Sequence, residues 1–179
     1  MKMYLFNLLK FANKMGSNTS YIDMKPTVEE EKQLDKEFQK LKNSKYIPLV
    51  KCEYKDNNKK HWEIIFKGSE CSPYEDGYFI LDFLFNKGTF PSYGPEAKFV
   101  TKMFHPNIDS DGHVCINILN SWSPGRTMED VLLGILEILE NPIATGGYPN
   151  DARKLLEKDV DEFYKKVEEY TYSFAMKGF

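Results

Sequence analysis

The sequence lacks several features that mark particular classes of protein. Its 179 residues contain no apolar run that approaches the roughly 20 residues needed to cross a bilayer, and no internal repeat is visible. The formal net charge is −3, whereas proteins that bind nucleic acids usually carry a basic excess. We therefore expect one domain of ordinary size, without a transmembrane segment and without a nucleic-acid partner.

Cysteine is scarce, with only three residues at positions 52, 71 and 115. An odd number without CxxC spacing disfavours a disulfide framework and predicts a reducing compartment, the cytoplasm or the nucleus. Cys52 lies in a predicted strand and Cys71 in a turn-rich segment. A cysteine in such a place usually serves as a small apolar filler, and we predict that role for both.

The first 24 residues differ in pattern from the rest of the chain. An apolar run from Met3 to Ala12 is interrupted by Asn7 and Lys10, which disfavours a secretory signal. Either a short amphipathic helix or a flexible tail fits this pattern. We therefore divide the chain into an N-terminal extension, residues 1–24, and one domain, residues 25–179.

A helix is predicted to begin at Thr27, with Glu30 as the reciprocal partner of a capping box. Along this helix Lys32, Lys36 and Lys40 recur at a spacing of four and so share one face. Two interpretations of that face remain open from the residues alone. It is either a solvated surface or a docking surface for an acidic partner.

Four strands follow, because the apolar residues alternate and short polar connections separate them. Such connections favour an antiparallel meander. We place the strands at residues 46–54, 61–66, 78–85 and 98–101. Residues 104–125 then show few signs of regular structure, although the alternation of Ile116 and Ile118 indicates a brief extended segment.

The remainder of the chain is predicted to be helical. Thr127 caps a helix that ends at Asn141, and its apolar residues cover nearly every face, which predicts a central buried helix. A short helix is predicted around residues 150–157 and a final one from residue 160 to about residue 176. The inner side of the final helix is predicted to carry Phe163, Val167, Tyr170 and Phe174.

The segment from residue 105 to residue 115 holds the side chains best suited to catalysis. Cys115 follows the turn 109–112, which would place its thiol at the lip of a groove. Three interpretations stay open: a structural cysteine, a metal ligand with His105 and His113, or a nucleophile with His113 as base. The H-x7-H-x-C spacing matches no usual metal site. Asn107 adds a side-chain amide that could stabilise an oxyanion.

The motif His105-Pro106-Asn107, followed by a turn, Cys115, Trp122-Ser123-Pro124 and an apolar helix, resembles the ubiquitin-conjugating enzymes. The turn 72–77 is similar to the SPYEGG-type element of that family. The resemblance covers residues 25–174. It implies an α+β fold with an N-terminal helix, a four-stranded antiparallel meander, an active-site loop, a central helix and two C-terminal helices.

The resemblance also implies an activity. Cys115 would accept ubiquitin from the activating enzyme as a thioester and pass it to a substrate lysine with a RING or HECT ligase. Asn107 would stabilise the oxyanion or hold the loop, and His105 and Pro106 would be structural. We expect a monomer that needs no metal or nucleotide, since ATP is used upstream. A ubiquitin-like modifier such as SUMO would use the same chemistry, whereas a non-catalytic ubiquitin-binding relative would usually lack the cysteine.

The same resemblance implies two partner surfaces. The stripe of Lys32, Lys36 and Lys40 is similar to the surface that the family offers the activating enzyme. The implied ligase contacts are Pro91, Ser92, Tyr93, Ser123 and Pro124.

The sequence departs from the family pattern near both edges of the site. The family's YPFKPPK loop corresponds to residues 90–96, where Ser92 replaces the usual aromatic residue and Tyr93 is the candidate substitute. The acid that helps the incoming lysine in many members corresponds to Asn141. Glu140 and Asp151 are then the nearest acids in the sequence.

Overall fold

The computed structural model describes residues 25–145 and 147–175. The extension of residues 1–24 and the predicted end of the final helix at residue 176 lie outside these ranges. The strands are β1 Leu49–Tyr54, β2 His61–Lys67, β3 Tyr78–Leu84 and β4 Glu96–Phe99. The helices are α1 Val28–Lys42, α2 Asn117–Asn120, α3 Met128–Glu140, α4 Asp151–Lys158 and α5 Val160–Phe174, with a 3-10 turn at Lys55–Asn57.

The four strands form one antiparallel sheet in the order β1-β2-β3-β4, which confirms the predicted meander. The predicted position of the fourth strand, 98–101, is wrong. Pairing with β3 runs from Leu81 opposite Phe99 to Leu84 opposite Glu96, so the ladder ends at Phe99. Thr101 instead uses its hydroxyl to accept a hydrogen bond from the Ile80 N–H at 2.8 Å.

The core lies between the inner face of this sheet and helices α1 and α3. The alternation predicted for β2 is confirmed, since Trp62, Ile64 and Phe66 are buried. The apolar stripe of α1, which includes Leu34 and Phe38, is buried against them. Burial of each such side chain contributes about 1.5–3 kcal/mol, so this layer holds the loops of the site in place.

The capping box predicted at the N-terminus of α1 forms only in part. Thr27 caps the helix by accepting the Glu30 N–H at 3.2 Å. Glu30 does not return the bond, because its buried carboxylate accepts the Phe90 N–H at 3.1 Å and pairs with Lys60 at 3.1 Å. The carboxylate thus ties α1 to the loop before β4, and this tertiary contact replaces the local one.

Helix α3 begins with a full capping box between Thr127 and Asp130, which confirms the predicted cap. The prediction that nearly every face is buried is wrong. Val131, Leu132 and Ile135 are buried, but the side chain of Leu133 is 37% exposed. That exposed face borders the loop of Cys115, because α3 forms one wall of a groove there.

Helix α5 packs through Phe163 and Val167, as predicted, but its third buried residue is Thr171. Tyr170 is half-buried, and Phe174 is exposed rather than internal. The Lys102 ammonium lies 5.1 Å from the centre of the Phe174 ring, so a cation–π contact takes the place of core packing there.

Cys52 and Cys71 differ in their surroundings. Cys52 is buried in β1, and burial raises its pKa to about 12, so its thiol stays protonated at neutral pH. The filler role predicted for Cys71 is wrong, because this residue is exposed in a left-handed turn with a φ of 57°. Across residues 25–145 and 147–175, no helix has the length and apolar character that a membrane crossing requires.

Candidate functional site

Cys115 lies half-buried immediately before α2, in a loop that folds back on itself. An isolated antiparallel bridge between Ile108 and Val114 closes this loop. At its tip Gly112 adopts a φ of 92°, and a Cβ atom there would lie 2.1 Å from the Phe99 carbonyl oxygen. The turn therefore requires glycine, and it brings the residues on either side of it together.

Asn107 lies directly across this loop from Cys115. The Cys115 N–H donates to the Asn107 carbonyl at 2.8 Å, and the Asn107 side chain donates through Nδ2 to the Cys115 carbonyl at 3.1 Å. This orientation of the amide is the favourable one, since the opposite one would set two oxygens against each other. It leaves Asn107 Oδ1 buried without a hydrogen-bond donor in the described part of the chain.

His105 connects the same loop to α3. Its Nδ1 accepts the Asn107 N–H at 3.0 Å, so Nε2 carries the proton and donates to the Ile138 carbonyl at 2.8 Å. Burial lowers the pKa of His105 to about 4, although the bond to Ile138 opposes this shift. The ring is therefore neutral at physiological pH, and both nitrogens serve structural contacts.

Two residues, Tyr148 and Asn150, anchor the loop from the C-terminal side through three hydrogen bonds. The carbonyl of Pro106, a buried residue, accepts the Tyr148 N–H at 2.8 Å. The Asn150 amide donates to the carbonyls of His105 and Ile108 at 2.9 and 3.0 Å. The HPN segment is thus held from several directions, in keeping with the structural role expected of His105 and Pro106.

His113 is a candidate base for Cys115 from the sequence, but in the structure its ring faces two carboxylates. Nδ1 lies 3.1 Å from Asp109, and Nε2 lies 3.0 Å from Glu96 of β4. Neither ring nitrogen is left for the Cys115 thiol. The metal interpretation gains no support either, because the described residues contain no group of three His, Cys, Asp or Glu side chains that could hold an ion.

The predicted extended conformation is confirmed at Ile116, which has a φ of −136° and a ψ of 152°, but it is wrong at Ile118, which lies in α2. Helix α2 begins at Asn117, and this turn brings the amide of Asn120 to 3.5 Å from the Cys115 sulfur. The sequence pattern indicates this helix only weakly, because the four residues of α2 are too few to show a helical period.

A groove of about 690 Å³ opens beside Cys115. Asn107, Cys115 and Ile116 line one wall, and the exposed face of α3 lines the other. Its two acids are Asp130 and Glu137, not the Glu140 and Asp151 named from the sequence. The α3 residues of the groove are Asp130, Leu133, Gly134, Glu137 and Ile138, followed by Asn141 at the C-cap.

The two expected acids point elsewhere. Glu140 accepts the Ser69 hydroxyl at 2.6 Å, and Asp151 pairs with Lys154 at 2.9 Å. Helical periodicity would have identified Glu137, because Asp130, Glu137 and Asn141 lie seven and four residues apart and share one face of α3. Proximity to Asn141 in the sequence did not identify the acids of the groove, because adjacent residues on a helix face different directions.

The two loops named as ligase contacts lie side by side. Trp122 donates through its indole N–H to the Pro91 carbonyl at 2.8 Å. Gly94 allows this approach, since a Cβ there would lie 2.4 Å from the Trp122 ring. Ser92, Ser123 and Pro124 are exposed, Pro91 is half-buried, and Tyr93 is 57% exposed.

The lysine stripe of α1 is exposed along its whole length. Lys40 pairs with Glu37 at 2.6 Å, and Glu37 also accepts the Met128 N–H at the start of α3. Lys32 and Lys36 take part in no ion pair with any residue of the described ranges. The structure thus leaves two of the three charges available to a partner.

Comparison with known proteins gives one consistent result. The model of the ubiquitin-conjugating enzyme family matches residues 33–171. Ubiquitin-conjugating enzyme E2 13 of Saccharomyces cerevisiae is 34% identical over 147 residues, which are 82% of this chain and 95% of that protein. Ubiquitin-conjugating enzyme E2 N of Drosophila melanogaster is 32% identical over 143 residues, covering 79% of this chain and 93% of that protein.

Solved structures agree with the sequence relatives. The E2 domain of a Toxoplasma gondii ubiquitin conjugating enzyme has a TM-score of 0.72 and 29% identity, covering 81% of this chain and 99% of that one. The structure of a ubiquitin conjugating enzyme from Plasmodium yoelii has a TM-score of 0.75 and 30% identity. The match covers 87% of this chain and 100% of that one. The expected α+β fold is confirmed, and the chain belongs to the ubiquitin-conjugating enzyme family.

Proposed function

We propose that the protein is an active conjugating enzyme that carries ubiquitin as a thioester on Cys115. It receives ubiquitin from the activating enzyme and transfers it to a substrate lysine with a RING or HECT ligase. The observation that carries this proposal is the place of Cys115, whose half-buried thiol lines the groove while its backbone is held by Asn107. A relative that only binds ubiquitin would have no need of this thiol.

The loading step exchanges one thioester for another. The Cys115 sulfur attacks the carbonyl carbon of the ubiquitin terminus, a new C–S bond forms, and the activating enzyme's thiol leaves. Because the two thioesters are nearly equal in energy, Cys115 needs no strong activation. The engagement of both His113 nitrogens by Asp109 and Glu96 is compatible with this scheme.

The transfer step is an aminolysis. The neutral lysine amine attacks the thioester carbonyl, a C–N bond forms, the C–S bond breaks, Cys115 leaves as a thiolate, and the nitrogen releases one proton to solvent. The rate of such a step depends on the position and desolvation of the amine. Asn107 Nδ2 carries two hydrogens, and only one is used by the Cys115 carbonyl at 3.1 Å. In this proposal the second hydrogen serves the oxyanion while the first holds the loop.

The remaining parts of the proposal concern partners and location. Lys32, Lys36 and Lys40 dock the activating enzyme, and the exposed loops around Tyr93 and Pro124 contact the ligase. The protein works as a monomer in the cytoplasm or nucleus, in keeping with its odd number of cysteines. No metal or nucleotide takes part on this chain, because the chemistry needs only a thiol and an amine.

A charging assay tests this function. The protein is incubated with ATP and matched activating enzymes for ubiquitin, SUMO and other modifiers, and adducts are separated with and without a thiol reductant. We expect a reductant-sensitive adduct with ubiquitin that Cys115→Ala abolishes and Cys71→Ala retains. Charging by SUMO alone would reassign the modifier, and no adduct with any modifier would refute the enzyme proposal.

A further inference from the structure

His113, two residues before Cys115, has a carboxylate against each nitrogen of its ring. Nδ1 lies 3.1 Å from Asp109 Oδ2, and Nε2 lies 3.0 Å from Glu96 Oε1. A neutral imidazole has one N–H, so it would donate to one carboxylate and turn a lone pair toward the other. The doubly protonated ring donates to both carboxylates, and this form alone satisfies the two contacts.

The segment that carries Cys115 is joined to the edge of the sheet beside this ring. The Val114 N–H donates to the Ala97 carbonyl at 3.0 Å, and the Phe99 N–H donates to the Gly112 carbonyl at 2.8 Å. These two backbone bonds extend the sheet past its edge strand β4 over residues 112–114. The position of the Cys115 thiol therefore depends on how firmly this segment stays paired with β4.

His113 lies between those two bonds and adds a side-chain contact to them. It is opposite Lys98 of β4 in an isolated antiparallel bridge, so the two side chains leave the same face of the pair. Glu96 lies two residues from Lys98 and shares that face. The ring thus joins the loop, through Asp109, to β4, through Glu96.

The titratable and charged groups around the ring come from three segments of the described chain. Burial alone would raise the pKa of Asp109, but hydrogen bonds from His113 and from the Asp111 N–H lower it, so this carboxyl is ionised at neutral pH. Burial, and then nearby negative charges that include Asp109, raise the pKa of Tyr148, so its phenol is neutral. Lys98 opposes protonation of the ring, whereas the two carboxylates in contact with the ring favour it. The full set is Asp109, Asp111 and Cys115 of the loop, Glu96 and Lys98 of β4, and Tyr148 of the segment after α3.

We infer that His113 is a pH-sensitive positioning residue, which holds the segment of Cys115 against β4 while its ring is protonated. Loss of the proton as the pH rises sets a lone pair of the ring against one carboxylate, and the bridge between the loop and β4 opens. The contribution of this bridge is present at low pH and is lost as the pH rises, which is the reverse of the sign for the buried neutral His105. Because histidine changes its charge between about pH 5 and 8, the change falls within the range that proteins meet in cells.

Hydrogen exchange of the Val114 amide tests this inference, because its bond to Ala97 reports the pairing with β4 directly. Ion pairs near the surface are worth about 0.2–1 kcal/mol, so the protection factor in wild type should fall about two- to fivefold from about pH 5.5 to about pH 8.5. His113→Gln is uncharged at every pH and should show the low value throughout. His113→Arg keeps a charged group with several donors and should show the high value throughout.

Two further variants separate the bridge from general effects of pH. Glu96→Gln replaces one carboxylate by an amide that donates to the neutral ring, so its protection factor should no longer fall at high pH. This variant also decides the question if His113→Arg proves unfolded in thermal melting. His61→Gln is the matched control, since His61 Nε2 lies 2.9 Å from a single carboxylate, Asp82, on the same sheet, and the wild-type pH dependence should persist in it.

Two results of the exchange measurement would overturn the inference. One is a ratio of protection between wild type and His113→Gln that does not change with pH. The other is a loss of protection at high pH in Glu96→Gln that equals the loss in wild type.

Discharge of the preformed thioester to free lysine tests the consequence for the reaction, and this second measurement rests on the proposed function. The wild-type rate divided by the Glu96→Gln rate cancels the titration of the attacking amine. This ratio should fall about two- to fivefold between about pH 5.5 and about pH 8.5, because the thioester on Cys115 is held in position for less of the time. A constant ratio would refute a positioning role in the reaction. A wild type that takes up no modifier would overturn the proposed function and leave the exchange result standing.

Discussion

Asn107 and Cys115 hold each other through two hydrogen bonds that run in opposite directions. The Cys115 N–H donates to the Asn107 carbonyl at 2.8 Å, and Asn107 Nδ2 donates to the Cys115 carbonyl at 3.1 Å. Both bonds use the backbone of Cys115, so a change of the Cys115 side chain leaves their donor and acceptor atoms in place. Substitutions at these two positions should consequently have separable effects.

Replacement of Asn107 by alanine should slow transfer more than loading. Asn107→Ala should charge normally but discharge to free lysine about 10²-fold more slowly, the typical cost of losing one oxyanion donor. It should also lower the free energy of unfolding by about 1 kcal/mol through loss of the bond to Cys115. Single-turnover discharge and thermal melting measure the two effects.

Asn120→Ala is the matched control, because it removes the amide 3.5 Å from the Cys115 sulfur without touching the Asn107 bonds. Its discharge rate should stay close to wild type. Equal discharge by wild type and Asn107→Ala would refute the oxyanion role and leave Asn107 only as a support of the loop.

His105 should make the stability of the protein depend on pH. Its pKa falls from 6.5 to about 4 on folding, so the unfolded chain binds the proton first as the pH decreases. The contribution of neutral His105 to the free energy of unfolding is therefore complete above pH 6.5 and is lost as the pH falls toward 4. Between pH 7 and pH 5 the free energy of unfolding should decrease by about 2 kcal/mol from this group.

Urea unfolding at several pH values measures this dependence. His105→Gln should be less stable at pH 7 and should show a flatter profile between pH 7 and pH 5, whereas His113→Gln should retain the His105 contribution. The same slope in wild type and His105→Gln would show that His105 is not the titrating group.

Gly94 should be required for the joint surface of the two ligase loops. A Cβ there would lie 2.4 Å from the Trp122 ring, and a large rigid ring cannot move aside without loss of its bond to Pro91. We expect Gly94→Ala to destabilise the fold by about 1–3 kcal/mol and to change the fluorescence of Trp122. Ligase-stimulated discharge should fall with it.

Gly125→Ala provides the control, since a Cβ at Gly125 meets no atom within 4 Å in the same region. It should leave fluorescence and stability close to wild type. Identical melting of wild type and Gly94→Ala would contradict the packing described for Trp122.

The lysine stripe of α1 should affect loading but not transfer. Lys32 and Lys36 pair with no carboxylate of the described residues. Reversal of both charges in Lys32→Glu/Lys36→Glu should raise the KM for the charged activating enzyme about tenfold, because it replaces two attractions with repulsions. Discharge of the preformed thioester should not change. Lys165→Glu on α5 is the control, and an equal effect of that substitution would exclude a specific docking role for the stripe.

The core of the fold follows from local sequence patterns, and the contents of the groove do not. The period of α1 and the alternation in β2 identify buried residues because one face of each element meets the core. The helical period groups Glu137 with Asp130 and Asn141, but it does not show that Leu133 and Glu137 stay exposed. Their exposure depends on where the Cys115 loop crosses α3, and His105 sets that crossing through its bond to Ile138, more than thirty residues away.

Buried carboxylates explain the other differences. An acidic residue lies three positions after both cap residues, Glu30 after Thr27 and Asp130 after Thr127, so each pair could form a capping box. Only the second forms reciprocally, since Asp130 faces solvent whereas Glu30 is drawn to the Phe90 N–H sixty residues away. Such choices between local and distant partners depend on tertiary packing, which single-sequence patterns do not contain.

The most direct test of the account is the bond that ubiquitin forms in Cys115→Ser. A serine in this position can form only an oxygen ester, which a thiol reductant does not cleave, and the loop should hold it in place through Asn107. We predict a reductant-sensitive adduct in wild type and a reductant-resistant adduct that forms more slowly in Cys115→Ser. The mass of the second adduct and its peptide map should place the modifier at residue 115. A reductant-sensitive adduct in Cys115→Ser, mapped to Cys71 or Cys52, would contradict the assignment of Cys115.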